Sequence, residues 1–193
     1  DDGALVDFLI RRAKAEGIAV TCEATPHHFT LTEDVVKTFD TATKVNPPLR
    51  RAEDVMALHE GLKDGTVDCI VTDHAPHTRE DKEVEFAVAP PGLIGLETSL
   101  GIVLTDLVPA KVLDLPRVVE KMSTSPARLM GLSQKGEIAV GKDADITIVD
   151  LNKEWTVTRE DTASKSKNTP FLGRKLKGRV VTTVCGGKVG YQE

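Results

Sequence analysis

Asp73, His74 and His77 stand in the run Thr72-Asp73-His74-Ala75-Pro76-His77, directly behind the apolar stretch 67–71 (VDCIV). An acid and two imidazoles therefore arrive at the carboxyl end of a predicted strand, which is where α/β enzymes keep their chemistry. A carboxylate in that place can ligate a metal ion or move a proton. An imidazole four residues on, beyond a proline that stiffens the turn, can hydrogen-bond an anion. One acid and a few histidines at this spacing do not complete a metal centre, which needs at least three protein ligands. Asn46, with two donors and an acceptor, and the turn Pro91-Gly92, whose glycine permits close approach, are further candidates for holding a substrate. Each residue also has a plainer role on spacing alone. Asp73 can cap a turn, Asn46 before Pro47 is a turn former, His77 can be a surface histidine, and Pro91-Gly92 can be only a turn.

These residues need elements to position them. Leu5, Phe8, Leu9 and Ala13 recur at helical spacing behind Asp1 and Asp2, which can cap the first turn, and Gly17 ends that helix before a predicted strand over 18–22. A second round runs over 52–63, with Val55, Met56, Leu58 and Leu62 as its apolar stripe, and Gly65 ends it before the strand 67–71. Helix-to-strand repetition predicts a parallel sheet, and long loops at the carboxyl ends with short turns before the strands are the habit of an eight-stranded barrel. Beyond Pro91-Gly92, residues 96–107 read as a helix, and Ser125-Pro126 reads as the cap and first position of another over 127–130. From Gly136 the pattern turns to short β runs at 146–149, 155–157 and 180–184, closing on a Gly186-Gly187 hairpin into 188–191. The stretch 164–168 reads as a short polar loop.

The chain has 193 residues, a formal net charge of -5 and 40% hydrophobic residues, enough for a core. Its Lys and Arg are scattered among acids, so neither nucleic acid nor a membrane surface is expected as a partner. Cys22, Cys69 and Cys185 are odd in number and far apart, which predicts buried free thiols in a reducing, cytoplasmic compartment. No apolar run of about 18 residues is present, and no targeting signal is expected from Asp1-Asp2-Gly3.

Several blocks occur together in a fixed order: Thr25-Pro26-His27-His28, Asn46-Pro47-Pro48-Leu49-Arg50, Asp64-Gly65-Thr66-Val67-Asp68 leading into the run 72–77, Ala89-Pro90-Pro91-Gly92 with Gly95-Leu96-Glu97-Thr98, and Asn168-Thr169-Pro170-Phe171. With them the sequence resembles the dihydroorotases of the amidohydrolase superfamily, the larger bacterial type, over essentially its whole length. Pro91 departs from the pattern, since that family usually has Phe there. The resemblance implies an α/β fold, with the last two strands and helices of a TIM (β/α)8 barrel over 1–134 and a β-sandwich subdomain over 135–193. It implies a carboxyl-terminal piece, inactive alone, whose remaining metal ligands precede residue 1.

The resemblance also implies roles. Asp73 is the one metal ligand present and the catalytic acid that passes a proton to the leaving amide nitrogen. His77 and Asn46 orient the substrate, and Pro91 and Gly92 offer it backbone groups. The implied cofactor is zinc, two ions per full-length chain. The implied reaction is the zinc-dependent interconversion of L-dihydroorotate and N-carbamoyl-L-aspartate in pyrimidine biosynthesis. A homodimer is expected, with association with aspartate transcarbamoylase as a further partner. The rivals are an allantoinase- or hydantoinase-like cyclic amidohydrolase and an inactive dihydroorotase-like scaffold. His27 and His28 are not expected to be metal ligands, because neighbours on a strand point to opposite faces. His74 falls under the same argument.

Overall fold

The structure is a computed structural model that describes residues 3–193, with side chains described from Phe8 onward. Asp1 and Asp2, expected to cap the first helix, and the side chain of Leu5 lie outside the described residues. Helix α1 (Gly3–Ala15) is followed by Gly17 at φ 75°. The first strand forms later than predicted. Strand β1 (Glu23–Ala24) pairs in parallel with β2 (Cys69–Ile70), Glu23 opposite Cys69, whereas 18–22 has no ladder and Ile18 is exposed. Asp68 sets this register. Its carboxylate accepts hydrogen bonds from Cys22 N at 2.8 Å and Lys14 Nζ at 2.7 Å, and its own N–H donates to Cys22 O at 2.8 Å.

Helix α2 (Ala52–Asp64) ends at Gly65, which takes the left-handed φ of 93° that stops a helix cheaply only at glycine. Leu62 is buried as predicted, but Met56 is 66% exposed and belongs to the outer face, while Asp54 and Gly61 point inward. The short helix α3 (Arg79–Lys82) follows the run 72–77, and its first turn is closed by Thr78 and Asp81 capping each other. Helix α4 (Ser99–Ile102) starts later than predicted and continues through a wide π-type turn, Val103–Leu107.

Ser125-Pro126 is not a capped helix start, because the helical stretch is already under way when it reaches them. Asp114 is the cap, accepting from Arg117 N at 2.9 Å, with Pro116 in the first turn of α5 (Leu115–Val119). The chain then runs through a second π-type turn, Glu120–Thr124, into α6 (Ser125–Leu129). That wide turn admits Pro126 inside a helical stretch, since π-bulges are one of the few ways a helix absorbs a missing N–H.

Strands β3 (Ile146–Thr156), β4 (Lys175–Cys185) and β5 (Lys188–Gln192) form an antiparallel sheet in that order. Both β runs predicted at 146–149 and 155–157 belong to the single bulged strand β3. Gly186 and Gly187, both at positive φ, make the two-residue turn between β4 and β5. Glycines let this sheet sit on α4. A Cβ at Gly101 would lie 3.0 Å from Leu176 Cδ1, and one at Gly178 only 2.3 Å from Leu104 Cδ1. One core thus includes Phe29, Leu62, Ile70, Ile102 and Leu107 together with Val157, Phe171 and Leu176 from the sheet side.

All three cysteines are free, but only Cys69 is buried; Cys22 is half-buried and Cys185 exposed. No described helix is long and apolar enough to cross a membrane.

Candidate active site

Asp73 follows β2 and takes φ 45°, the left-handed region that a non-glycine residue enters at a cost and that Asp tolerates better than most. Its side chain is exposed and makes no hydrogen bond to the described residues. The turn after β1 carries the nearest titratable neighbour. There His28 lies within electrostatic reach of Asp73, which favours the charged ring, while burial, the larger effect, holds the His28 pKa below its ordinary value. The neutral ring is pinned at both nitrogens. Nε2 pairs with Pro47 O at 2.8 Å and Nδ1 with Thr25 Oγ1 at 2.7 Å, so Nε2–H donates to the carbonyl and the Thr25 hydroxyl donates to Nδ1.

Pro47 follows Asn46 across a cis peptide bond, and the Asn46 side chain is exposed with no hydrogen bond among the described residues. Two residues earlier, Lys44 O accepts from Gly92 N at 2.8 Å. The Lys44 ammonium is held by Phe86 O and Ala87 O at 2.8 and 2.9 Å. Pro91 O in turn accepts from His77 Nε2 at 3.0 Å. With Nε2–H committed to that carbonyl, the ring offers a second donor, at Nδ1, only when doubly protonated. Gly92 sits where nothing larger fits. At φ 130° a Cβ would lie 2.7 Å from Ala75 Cβ and 2.9 Å from His77 Nε2.

Electrostatic proximity of Asp73 to His28 and hydrogen bonds from His28 to Pro47 beside Asn46, from Gly92 to Lys44 and from His77 to Pro91 gather these residues into one neighbourhood. Beside His77 a cavity of about 810 Å³ opens, lined among others by Arg79, Lys82, Arg159, Lys165 and Asn168. Its cations outnumber its acids, which suits an anionic small molecule. Lys82 is the buried one, its ammonium bound to Thr41 O and Pro90 O at 2.9 and 2.8 Å and its pKa pulled down by burial and by Lys44.

The sequence model described as Amidohydrolase family matches residues 4–190. The chain belongs to the amidohydrolase family. Among curated relatives, this amidohydrolase chain is 51% identical over 184 residues to a dihydroorotase of Endomicrobium trichonymphae, matching 95% of the chain and 44% of that protein. It is 55% identical over 181 residues to a dihydroorotase of Geotalea daltonii, covering 94% of the chain and 42% of that protein. The chain thus spans less than half the length of the curated relatives it matches. Among solved structures, an L-hydantoinase (dihydropyrimidinase) from Arthrobacter aurescens superposes with a TM-score of 0.91 at 36% identity, over 100% of this chain and 44% of that one.

Among the described residues no three His, Cys, Asp or Glu side chains form a group that could hold a metal ion. Asp73 is the one member of this neighbourhood with a free anionic donor, so these residues fit a shared ligand shell rather than a complete one. His27 and His28 lie in a turn, not on a strand, and their rings meet at 4.4 Å rather than pointing to opposite faces. Strand alternation was therefore the wrong argument for them. His27 is buried, its Nε2 has no hydrogen-bond partner, and burial followed by the neighbouring His28 lowers its pKa to about 3.

Sequence reasoning also set His74 aside and read 164–168 as a plain polar loop. In the structure His74 Nδ1 accepts from Gly95 N and Leu96 N at 3.2 and 3.3 Å, which leaves Nε2–H facing Ser164 Oγ at 3.4 Å. Ser164 donates from its hydroxyl and its N–H to Glu97 Oε1 at 2.6 and 2.7 Å. Burial pushes the Glu97 carboxyl up, but these hydrogen bonds outweigh it and hold it below its ordinary value. The signal available in sequence was the alternation Ser164-Lys165-Ser166-Lys167-Asn168, small polar residues on every second position.

Proposed function

We propose that the protein to which these residues belong is a dihydroorotase, hydrolysing L-dihydroorotate and re-forming it from N-carbamoyl-L-aspartate. The gathering of Asp73, Asn46, Gly92 and His77 into one neighbourhood is the observation that supports this most. It sets a free carboxylate opposite donors suited to an anionic ring amide. In this reading Asp73 moves a proton between water and the leaving amide nitrogen. The doubly protonated His77 ring, donating from Nδ1–H, and the free amide of Asn46 bind the substrate carboxylate and amide edge, while the Pro91 and Gly92 carbonyls, each already taking one hydrogen bond, offer a second lone pair at a place where a side chain would intrude.

We further propose zinc as the cofactor, two ions per full-length chain, with Asp73 as one ligand and the others contributed from outside the described residues. Zinc, when bound, would polarise the amide carbonyl and lower the pKa of water. The parallel pair β1 and β2 stands in this reading for two neighbouring strands of a TIM barrel, and residues 135–193 for a β-sandwich subdomain, with 1–134 on the barrel side. A homodimer and a contact with aspartate transcarbamoylase are the assemblies it suggests.

The test is steady-state assay of the full-length protein on dihydroorotate, carbamoyl aspartate, hydantoin and allantoin, with zinc content measured on the same preparation. Turnover of the first pair with bound zinc is expected, and Asp73→Asn should lower kcat by about a thousandfold or more. Turnover of hydantoin or allantoin alone would replace the substrate assignment. No turnover at all would point to a silent scaffold.

A further inference from the structure

Three residues, His74, Ala75 and Pro76, separate Asp73 from His77, and Pro91-Gly92 lies on a second loop; apart from the single bridge His74 to Leu93, no ladder joins them among the described residues. Something else must fix their spacing. Residues 164–168 run alongside both loops in neither helix nor strand, and Ser164, Ser166 and Asn168 each hydrogen-bond to them. Asn168 is buried, and its Nδ2 donates to Ala75 O at 3.0 Å and to Gly92 O at 3.1 Å, one carbonyl from each loop. Its Oδ1 faces His77 N at 3.4 Å, and its backbone O accepts from Ile94 N at 3.0 Å. Ser166 Oγ accepts from His77 N at 3.2 Å and lies against His77 O and Asn168 Oδ1, either of which its proton can reach. Ser164, at the other end, holds His74 and Glu97. A single segment of five residues thus delivers all three groups.

We propose that the segment 164–168 is a positioning strap for the substrate-binding loops, with Asn168 as the residue that sets the distance between His77 and Gly92 and Ser166 as the residue that fixes the His77 backbone. This rests on the reading of His77 and Gly92 as substrate contacts. Neither Asn168 nor Ser166 touches substrate in it; both act through His77 and the 91–92 turn. One amide that satisfies two carbonyls, one buried and one half-buried, is a demanding arrangement. An aspartate of the same size would turn a carboxylate toward both carbonyls, and alanine would leave both without a donor.

The experiment uses the full-length protein and steady-state kinetics on dihydroorotate for Asn168→Asp, Ser166→Ala, Ser166→Thr, His77→Ala and the double variant Ser166→Ala with His77→Ala. A strap predicts that Asn168→Asp and Ser166→Ala each raise KM by about tenfold or more while kcat changes by about threefold or less, and that Ser166→Thr, which keeps the hydroxyl, restores most of the loss. It also predicts that Ser166→Ala adds little to KM once His77 is gone, because residues acting through one group are non-additive. Independent, multiplying effects of Ser166→Ala and His77→Ala would overturn the proposal, as would a normal KM in Ser166→Ala. If His77→Ala itself leaves KM unchanged, the substrate role of His77 fails instead, and the strap fails with it. Should Asn168→Asp not fold, the serine variants decide alone.

Discussion

His27 offers the sharpest quantitative test of the packing around the site. Its ring is 1% exposed, its Nε2 has no partner, and its pKa falls from 6.5 to about 3, first through burial and then through His28. The unfolded chain therefore takes up a proton on this residue near pH 6.5 that the folded chain refuses until about pH 3. Folding stability is complete above the higher value and declines as pH falls through the interval between the two. At 1.36 kcal/mol per pH unit the whole interval is worth roughly 5 kcal/mol, and the part lost by about pH 5 is roughly 2 kcal/mol. Acid also weakens carboxylate interactions elsewhere, so the wild-type curve alone does not isolate His27. The comparison is with His27→Leu, which removes the titrating group and keeps the site apolar. Urea unfolding followed by circular dichroism, at about pH 7.5 and about pH 5, should show the variant gaining about 2 kcal/mol on the wild type across that step. A difference between the two proteins that stays constant within about 0.5 kcal/mol would refute the reasoning. So would His27 ring resonances that titrate near the ordinary histidine value in the folded protein.

Gly92→Ala should raise KM far more than it lowers thermal stability, because its Cβ would meet Ala75 and His77 Nε2 at a φ that already costs about 1–3 kcal/mol for an L side chain; steady-state kinetics with a thermal scan checks both. Gly178→Ala should destabilise by about 2–4 kcal/mol, since its Cβ would overlap Leu104 Cδ1, and pairing it with Leu104→Ala should cost less than the two single changes added together. Asp114→Ala removes the cap on α5 and should cost about 1 kcal/mol in urea unfolding, whereas Ser125→Gly should show no capping loss, because Ser125 stands within a helical stretch.

Residues with a local signature were readable from sequence. Gly65 had to end α2, the glycine pair had to turn β4 into β5, and Asp73 had to emerge at the end of a strand. The errors fall where a distant group overrode a local pattern. Residues 18–22 have the β-branched composition of a strand, but the ladder starts where Asp68 seizes Cys22. Ser125-Pro126 has the form of a helix start, but Asp114 eleven residues earlier starts that stretch and a π-type turn makes room for the proline. The histidine pair was judged by strand alternation, but the chain turns there and brings the two rings together at a tilt. The candidates Asp73, Asn46, His77, Pro91 and Gly92 were singled out by residue type together with the family resemblance, whereas Asn168 and Ser166 were not, because residues that bond chiefly to backbone leave no chemical pattern of their own.

The site is held in two different ways. Asp73 is placed by its own backbone, three residues beyond a parallel ladder and in a conformation its neighbours must maintain. His77 and Gly92 are placed by side chains that follow them by 76 to 91 residues in the chain. The segment that supplies those side chains is tethered at both ends to the sheet side of the core. Val157 and Phe171 are both buried there, and Arg174 pairs with Asp106 on the π-type turn behind α4. Opening of the sheet would therefore release the substrate loops while leaving β1 and β2 paired. Placement of the acid and placement of the substrate contacts belong to separately breakable parts of the fold. In physical terms, perturbations of the sheet should reach this site first through binding and only afterwards through the proton-transfer group.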